Sequence, residues 1–291
     1  MTFKHLRKQA YCMGTLIDLQ VISNKATVDI NNILETGINI IQQIKSRYSR
    51  FDKHSELSQL NNSTGYFQCQ DREIVNLIKF GIELYKKTDG YFDISIADFL
   101  ELYGYGRKID ISTTNIDLSK EITEILKTRP KLTDIQIDQK LLKIKLQPNQ
   151  KLDLGSYIKG FAIKKIKEFF LRSNIDNFLI NAGGDIYANG TKQSYKPWIV
   201  GLFDSSTNSS STKLIKKIPL LNESIACSGK WARKIKSFNH LINPLTGGCI
   251  DNNDVFVKSR DPMIADAFAT ICYIKPEFAN LSNEYNFTVI D

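Results

Sequence analysis

The sequence lacks any long apolar run, and this absence excludes a membrane-spanning helix. No stretch of the 291 residues approaches the roughly 18 consecutive apolar residues that a span needs. With 42% hydrophobic and 24% charged residues, the composition is that of an ordinary globular protein. Disorder, collagen and coiled coil are therefore excluded as descriptions of the whole chain.

Cysteine is scarce and scattered, which excludes two further classes of protein. The five cysteines include no Cys-x-x-Cys pair, so neither a disulfide framework nor a structural zinc site is expected. The first twelve residues contain no apolar segment of the kind that a secretory signal requires. These features predict a cytoplasmic protein, with a periplasmic, membrane-associated lipoprotein as the alternative if a leader was omitted.

Positive charge is in excess, but it is not concentrated. The formal net charge is +8, which favours an anionic partner such as nucleic acid, an acidic protein or a phosphorylated small molecule. No block of five or six like charges occurs, and no basic-aromatic motif of an RNA-binding sheet is present. We therefore expect no nucleic-acid partner.

Hydrophobic periodicity predicts an α+β fold with antiparallel or mixed sheets and packed helices. Helices are predicted over 29–48, 71–87, 156–172 and 262–273. Strands are predicted over 14–23, 178–181, 186–188, 198–203, 255–258 and 287–290, with a hairpin around 138–140. Because most strands come as hairpins between helices, α+β is favoured over an alternating parallel sheet. We expect a single domain over 1–291, with a polar excursion at about 107–133 and a flexible loop at about 204–213.

The segment 261–270 predicts a site for a hard cation. Asp261 followed by Pro262 is a strong start for a helix, and Asp266 and Thr270 then project from one helical face. A carboxylate beside a hydroxyl suits magnesium, which prefers oxygen ligands. The alternative is a surface aspartate and a threonine bonded to its own backbone.

The segment 151–160 indicates a phosphate site. A strand carrying Asp153 is predicted to lead through Gly155 into a helix capped by Ser156, with Lys159 one turn inside. Free amides at a helix N-terminus suit an anion. A plain turn between strand and helix explains the same residues, since no Walker or dinucleotide glycine pattern is present.

Two other segments contain candidate functional residues. Gly183 and Gly184 lie where backbone could approach a ligand, or they form only a tight turn. His240, one of only three histidines, could act as a general base near neutral pH. It could equally be a structural, hydrogen-bonding histidine.

Taken in order, these segments resemble the FAD:protein FMN transferase family, also called the ApbE family. The resemblance covers nearly the whole chain through segments 13–15, 51–61, 88–93, 153–160, 181–185, 228–229, 240–247 and 265–270. It implies a two-lobed single domain related to the T-fold. It also implies a magnesium-dependent transferase that moves the FMN moiety of FAD to a Thr or Ser hydroxyl of an acceptor flavoprotein. The FMN would be held through a phosphoester bond, AMP would be released, and the partners would be FAD and the acceptor.

The resemblance also implies roles for individual residues. Oxygens of Asp266, Thr270 and Ser156 would bind the magnesium ion, and His240 and Asp266 would be catalytic. The expected contacts to flavin and adenylate are Met13, Phe51, Tyr91, Phe92, Asp93, Asp153, Lys159 and Ile242.

Four positions depart from the family pattern. Ser156 and Tyr157 replace the smaller residues that commonly follow the first glycine. Asn243 stands where the family usually has Asp, and Leu245 stands where a basic residue is common. The loss of that carboxylate leaves open a flavin-binding protein without catalysis. A site that uses water as acceptor, and so splits FAD into FMN and AMP, is the other alternative.

Overall fold

A computed structural model describes residues 3–106, 117–192, 196–203, 214–229, 234–235 and 238–290. The predicted loop at 204–213 and the first ten residues of the excursion at 107–133 lie outside this range. The rest of that excursion contains one α-helix, at residues Ser119–Thr128.

The described residues form fourteen strands and eight helices. The strands are β1 Lys4–Cys12, β2 Thr15–Ser23, β3 Phe67–Gln68, β4 Gln136–Asp138, β5 Lys143–Lys145, β6 Asn177–Ala182, β7 Asp185–Asn189, β8 Trp198–Phe203, β9 Leu214–Leu220, β10 Glu223–Ser228, β11 Lys234–Ile235, β12 Phe238–Asn239, β13 Val255–Ser259 and β14 Phe287–Ile290. The helices are α1 Thr27–Tyr48, α2 Glu56–Asn61, α3 Arg72–Lys87, α4 Ala97–Leu102, α5 Ser119–Thr128, α6 Ile158–Arg172, α7 Pro262–Ile274 and α8 Ser282–Tyr285. Short 3-10 turns occupy Leu132–Asp134 and Pro276–Leu281.

The chain forms two compact units. Unit 1 comprises Met1–Lys45, Gly155–Gly229 and Asn253–Asp291, and unit 2 comprises Ser46–Leu154 and Lys230–Asn252. The single domain expected over 1–291 stays a prediction.

Unit 1 is built on a seven-stranded sheet in the order β1-β2-β6-β7-β10-β13-β14. Every neighbouring pair is antiparallel. Gly37 of α1 lies so close to this sheet that an added Cβ would approach Leu19 Cδ1 to 2.8 Å and Phe170 Cε1 of α6 to 3.2 Å. The small residue lets α1 pack directly against β2 and α6.

The first strand was not predicted. β1 consists mostly of charged and polar residues, and most of its residues are exposed or only partly buried. It joins β2 through Met13 and Gly14, whose φ values of 54° and 75° are those of a two-residue hairpin turn with left-handed backbone at both positions. The turn places Met13 at the end of the sheet.

Unit 2 contains helices α2 to α5, a three-stranded sheet in the order β3-β5-β4 and the small β11-β12 pair. The hairpin predicted around 138–140 is confirmed as β4 and β5, whose residues pair from Gln136↔Lys145 to Asp138↔Lys143. One apolar cluster in this unit is formed by Phe99, Leu100, Tyr103 and Ile242. In this cluster Ile242 packs against α4.

The predicted start of α6 is wrong in two details. Asp153 lies in irregular backbone rather than in a strand, and α6 begins at Ile158 with Tyr157 as the capping residue. No side chain caps this helix, so Ser156 is not the cap. Gly155 and Ser156 lie in the turn that precedes the helix.

Among the described residues, no helix is both long and apolar enough to cross a membrane.

Candidate functional site

Helix α7 presents the two predicted metal ligands as its sequence suggests. The Asp261 carboxylate accepts a hydrogen bond of 2.9 Å from Met263 N, and Pro262 occupies the first helical turn. These residues fix where the helix begins. As a result Asp266 lies one turn before Thr270 on the same face, and its side chain is buried, with 5% of the residue exposed.

Helices α6 and α7 approach each other closely at Gly160. Gly160 N donates a 2.8 Å hydrogen bond to Asp266 Oδ2. A Cβ on residue 160 would come within 2.4 Å of Pro262 O, so only glycine allows the two helices this close. Gly160 of the predicted phosphate segment is therefore in contact with the late helix within unit 1.

Lys159 lies between two buried carboxylates. Its Nζ forms an ion pair with Asp185 at the start of β7 and lies 3.6 Å from Asp266 Oδ1. Asp185, which is 2% exposed, also accepts a hydrogen bond of 3.3 Å from Cys227 N. These three charged side chains carry one positive and two negative charges. The excess negative charge in a buried site favours a further cation.

Hydroxyl groups complete this oxygen-rich cluster. Thr270 Oγ1 lies 3.1 Å from Ser228 Oγ at the end of β10. The alternative interpretation of the sequence had paired this hydroxyl with its own backbone. Burial raises the pKa of the neighbouring Cys227 thiol to about 12, so sulfur is protonated near neutral pH. Lys159, Asp266 and Thr270 are thus gathered as predicted, whereas no contact of Ser156 places that residue in the cluster.

The cluster fits a magnesium ion by the chemistry of its donors. Within the described residues, no group of three or more His, Cys, Asp or Glu side chains is arranged as a metal site. The available ligands are instead carboxylate and hydroxyl oxygens, which magnesium accepts while it keeps positions for water and phosphate. The Lys159 ammonium already shows that a cation is stable between these carboxylates.

The glycine turn between β6 and β7 lies next to the Met13 turn. Gly183 N donates a 3.2 Å hydrogen bond to Leu16 O. A Cβ on Gly183, whose φ is 71°, would come within 2.1 Å of Thr15 Oγ1. Gly184 N is held by the Asn181 side chain at 2.9 Å. Close packing of the two turns explains Gly183, and a φ of 102° explains Gly184, both without a ligand.

In unit 2, Arg50 connects two of the predicted flavin contacts. Its guanidinium forms an ion pair with Asp153, lies 4.2 Å from the centre of the Phe51 ring and donates a 2.7 Å hydrogen bond to Tyr105 O. Because Phe51 is 64% exposed, one broad surface of its ring is available for stacking. Arg50 was not predicted, since nothing local in the sequence shows that its partner lies 103 residues away.

Arg129 has the same function around Asp93. It forms an ion pair with Asp93, and it donates a 3.1 Å hydrogen bond to Pro244 O. The other Asp93 oxygen accepts 2.7 Å hydrogen bonds from the Ser95 backbone and hydroxyl. Arg129 thereby ties the 88–93 segment to the 240–247 segment, and it too was missed by sequence reasoning.

His240 lies in a turn that is fixed by side-chain amides. Its ring centre is 6.2 Å from that of Tyr105. Asn239 Oδ1 accepts a 2.8 Å hydrogen bond from Leu241 N, and Asn243 Oδ1 accepts one of 2.9 Å from Leu245 N. Asn243 therefore shapes the backbone of this turn with the oxygen that an aspartate would also supply.

The remaining predicted contacts in unit 2 differ in exposure. Tyr91 is half-buried, whereas Phe92 and Ile242 are almost fully buried in the core. The predicted contacts of Phe92 and Ile242 with a ligand stay untested.

The twelve predicted residues divide between the units. Unit 1 holds Met13, Ser156, Lys159, Asp266 and Thr270, and unit 2 holds Phe51, Tyr91, Phe92, Asp93, Asp153, His240 and Ile242.

Comparison with known proteins confirms the predicted resemblance. The sequence model described as the ApbE family matches residues 13–286. A protein of Vibrio cholerae named FAD:protein FMN transferase is 26% identical over 269 residues, which is 89% of this chain and 78% of that protein. A protein of the same name from Haemophilus influenzae is 25% identical, over 82% of this chain and 71% of its own. These names support the predicted transferase class.

Solved structures confirm the α+β fold class. The ApbE protein of Thermotoga maritima superimposes with a TM-score of 0.87 at 23% identity, over 98% of this chain and 93% of that one. The flavin transferase ApbE of Vibrio cholerae gives a TM-score of 0.85 at 20% identity, over 99% and 93% of the two chains.

Proposed function

We propose that this chain, which belongs to the ApbE family, is an FAD:protein FMN transferase. It would move the FMN moiety of FAD to a Thr or Ser hydroxyl of an acceptor flavoprotein. A phosphoester bond would form and AMP would leave. The observation that carries the proposal is the oxygen-rich cluster of Asp185, Ser228, Asp266 and Thr270 in a chain of this family.

Magnesium would be held by Asp266 and Thr270, with the third oxygen expected from Ser156. When bound, the ion would neutralise charge on the pyrophosphate of FAD and favour departure of AMP. Lys159 would contribute a second positive charge to the same phosphates, because its ammonium already lies beside Asp266. Asp185 would hold that ammonium in place.

The transfer needs a nucleophile that loses its proton. The acceptor hydroxyl oxygen would form a bond to the phosphorus of the FMN half, and the bond from that phosphorus to the bridging oxygen would break, so that AMP takes the bridging oxygen. His240 is our candidate to receive the hydroxyl proton. Its turn is rigid, since Asn239 and Asn243 both bind backbone amides, and this rigidity supports a fixed position of the base.

The exposed ring of Phe51 would stack on the flavin. Arg50 covers part of that ring and simultaneously holds Asp153, so that the predicted aromatic and carboxylate contacts form one preorganised group. Preorganisation lowers the entropy cost of binding a rigid ligand.

A flavin-labelling gel tests the proposal. The full chain is incubated with FAD, magnesium and a verified acceptor domain that carries the Thr/Ser motif, and the denatured acceptor is examined for flavin fluorescence. A fluorescent band together with released AMP is the expected result. AMP without labelling would identify an FAD pyrophosphatase, and bound FAD without AMP would identify a flavin-binding protein.

His240→Ala tests the base. We expect labelling to slow by about 10²-fold or more, with FAD binding retained, because the imidazole is needed for the proton and not for the dinucleotide. Labelling at the normal rate would transfer the role to another group.

We also retain the cytoplasmic location as a proposal. Cell fractionation followed by detection of this chain distinguishes it from a periplasmic, membrane-associated lipoprotein.

A further inference from the structure

The hairpin of β8 and β9 has one face without a partner among the described residues. The other face packs into the core of unit 1 through Trp198, Val200, Leu202, Ile218 and Leu220. Residues that pair directly across an antiparallel ladder share a face, so the pairs Ile199↔Pro219 and Gly201↔Lys217 both point away from that core. The outward face is therefore defined by the register itself.

This outward face is apolar at its centre. Ile199 is 56% exposed and Phe203 is 48% exposed, and Leu214 and Ile215 are exposed as well. A Cβ on Gly201 would come within 2.9 Å of Leu214 Cδ1 and 3.1 Å of Phe203 Cε2. These two side chains therefore lie over the glycine and form a continuous strip. Clusters of exposed apolar side chains of this kind mark interaction sites on soluble proteins.

The segment of the chain that contains the strip is basic. Between Asp185 and Glu223 the sequence contains five lysines and a single acidic residue, Asp204. Lys217 lies on the outward face opposite Gly201. Lys216 pairs with the core-facing Leu202, and Lys192 Nζ lies 6.0 Å from the ring centre of the core-facing Trp198. A partner that covers the strip would therefore gain from negative charge around an apolar centre.

The partner would bind the face of the hairpin and not add a strand to it. Pro219 in β9 has no N–H group and cannot donate to an added strand. A proline in an edge strand is one of the features that discourage edge-to-edge pairing.

We propose that the outward face of β8 and β9 is the docking surface for the acidic acceptor protein, separate from the site that binds the target hydroxyl. Ile199 and Phe203 would anchor an apolar patch of the acceptor, and Lys217 would select for acidic residues beside that patch. The proposal rests on the transferase function proposed above.

The experiment compares two acceptors for the full chain. One is a folded acceptor domain of net negative charge, and the other is a short synthetic peptide that contains only the flavinylation motif. In Ile199→Ser/Phe203→Ser we expect KM for the domain to rise at least about 10-fold, as for the loss of anchor residues, with kcat and transfer to the peptide unchanged. Lys217→Glu should raise the same KM by a smaller factor that diminishes at high salt.

Matched controls come from exposed residues elsewhere. Val28→Ser removes another exposed apolar side chain of unit 1, and Lys79→Glu reverses an exposed charge on α3. Both should leave KM for the domain unchanged. Equal KM values for the wild type and the Ile199/Phe203 variant would overturn the proposal.

Two further outcomes separate the possible failures. If the wild type labels neither acceptor, the transferase function fails. Binding of the same acidic domain, measured by calorimetry without FAD, then decides the docking surface alone, and equal affinities of wild type and variant overturn it. If sedimentation shows a wild-type dimer that the Ile199/Phe203 variant lacks, a second copy of this chain occupies the face and the acceptor does not.

Discussion

The two units solve the problem of buried charge in opposite ways. In unit 2 each carboxylate of the predicted site has its own guanidinium, the half-buried Asp153 with Arg50 and the buried Asp93 with Arg129. In unit 1 two buried carboxylates, Asp185 and Asp266, share the single ammonium of Lys159. Balanced pairs give a rigid scaffold, whereas an unbalanced cluster is ready to accept a cation. The comparison separates residues that shape a surface from residues that attract an ion.

The largest effect is expected from the loss of Asp266, one of the two carboxylates of unit 1 that share the ammonium of Lys159. Asp266→Ala should reduce transfer by about 10³-fold, since a ligand to a catalytic magnesium contributes several kcal/mol to the barrier. Flavin fluorescence of the labelled acceptor measures the rate, and far-UV circular dichroism checks the fold.

The control for this variant lies on the same helix. Asp261→Ala removes the helix cap and should cost about 0.5–2 kcal/mol of stability while transfer continues. Full activity of Asp266→Ala with magnesium would contradict the metal assignment.

In unit 2 the corresponding change breaks a balanced pair. Arg50→Met leaves the Asp153 carboxylate without its guanidinium, and Arg50 is only 7% exposed. We expect the free energy of unfolding to fall by about 3–5 kcal/mol, as measured by urea titration, with weaker FAD binding. Arg72→Met, an exposed arginine of the same unit, should change the free energy of unfolding by less than about 0.5 kcal/mol. Equal losses for both variants would show that the pair is unimportant.

Removal of the shared ammonium sharpens the contrast. Lys159→Met should lower the stability of the metal-free protein by about 1–3 kcal/mol, because two buried carboxylates lose their charged donor. Added magnesium should then raise Tm more for this variant than for the wild type, since the ion replaces the missing charge. Lys165→Met on the same helix is the control. An identical magnesium response in all three proteins would argue against a cation site at this cluster.

The smallest effect is expected at a carboxylate that has no guanidinium of its own. Asp98 Oδ1 is buried and has no hydrogen-bond partner in the described part of the chain, and burial raises the pKa of Asp98. A raised pKa in the folded state means that Asp98 favours folding only when protonated. Its contribution is full below the unfolded pKa and is lost as the pH rises through the folded pKa.

Asp98→Asn should therefore stabilise the protein near neutral pH, by less than about 1 kcal/mol. The gain should disappear in acid, below the unfolded pKa of about 3.9. Urea titrations at the two pH values measure it. A gain that does not depend on pH would have another cause.

Local sequence signals predicted the elements that start and end sharply. Asp261 and Pro262 fixed the start of α7, and Asp71 fixed that of α3 by capping Glu73 N. Helical spacing alone predicts that Asp266 and Thr270 lie on the same face of α7. Their burial and their neighbours do not, because these depend on strands that come from other parts of the chain.

The contacts that were missed share long sequence separations. Asp185 and Ser228 lie in segments of the family resemblance, but their positions beside α7, reached from β7 and β10, were not predicted. Arg129 binds Asp93, 36 residues away. A single sequence gives no sign of such pairs, since each residue taken alone has the pattern of a turn or an exposed face. β1 was missed for a related reason. Its residues are mostly polar, and its register with β2 makes it a strand.

Residue 160 determines how far apart the two helices of the oxygen-rich cluster lie. Even a methyl group there would need space that the Pro262 carbonyl oxygen fills, and the same displacement would draw the amide away from the carboxylate that it binds. Spacing and charge geometry therefore cannot be adjusted independently in this protein. A selection for active variants over a randomised codon 160 should return glycine almost every time, unless α7 is redesigned with it.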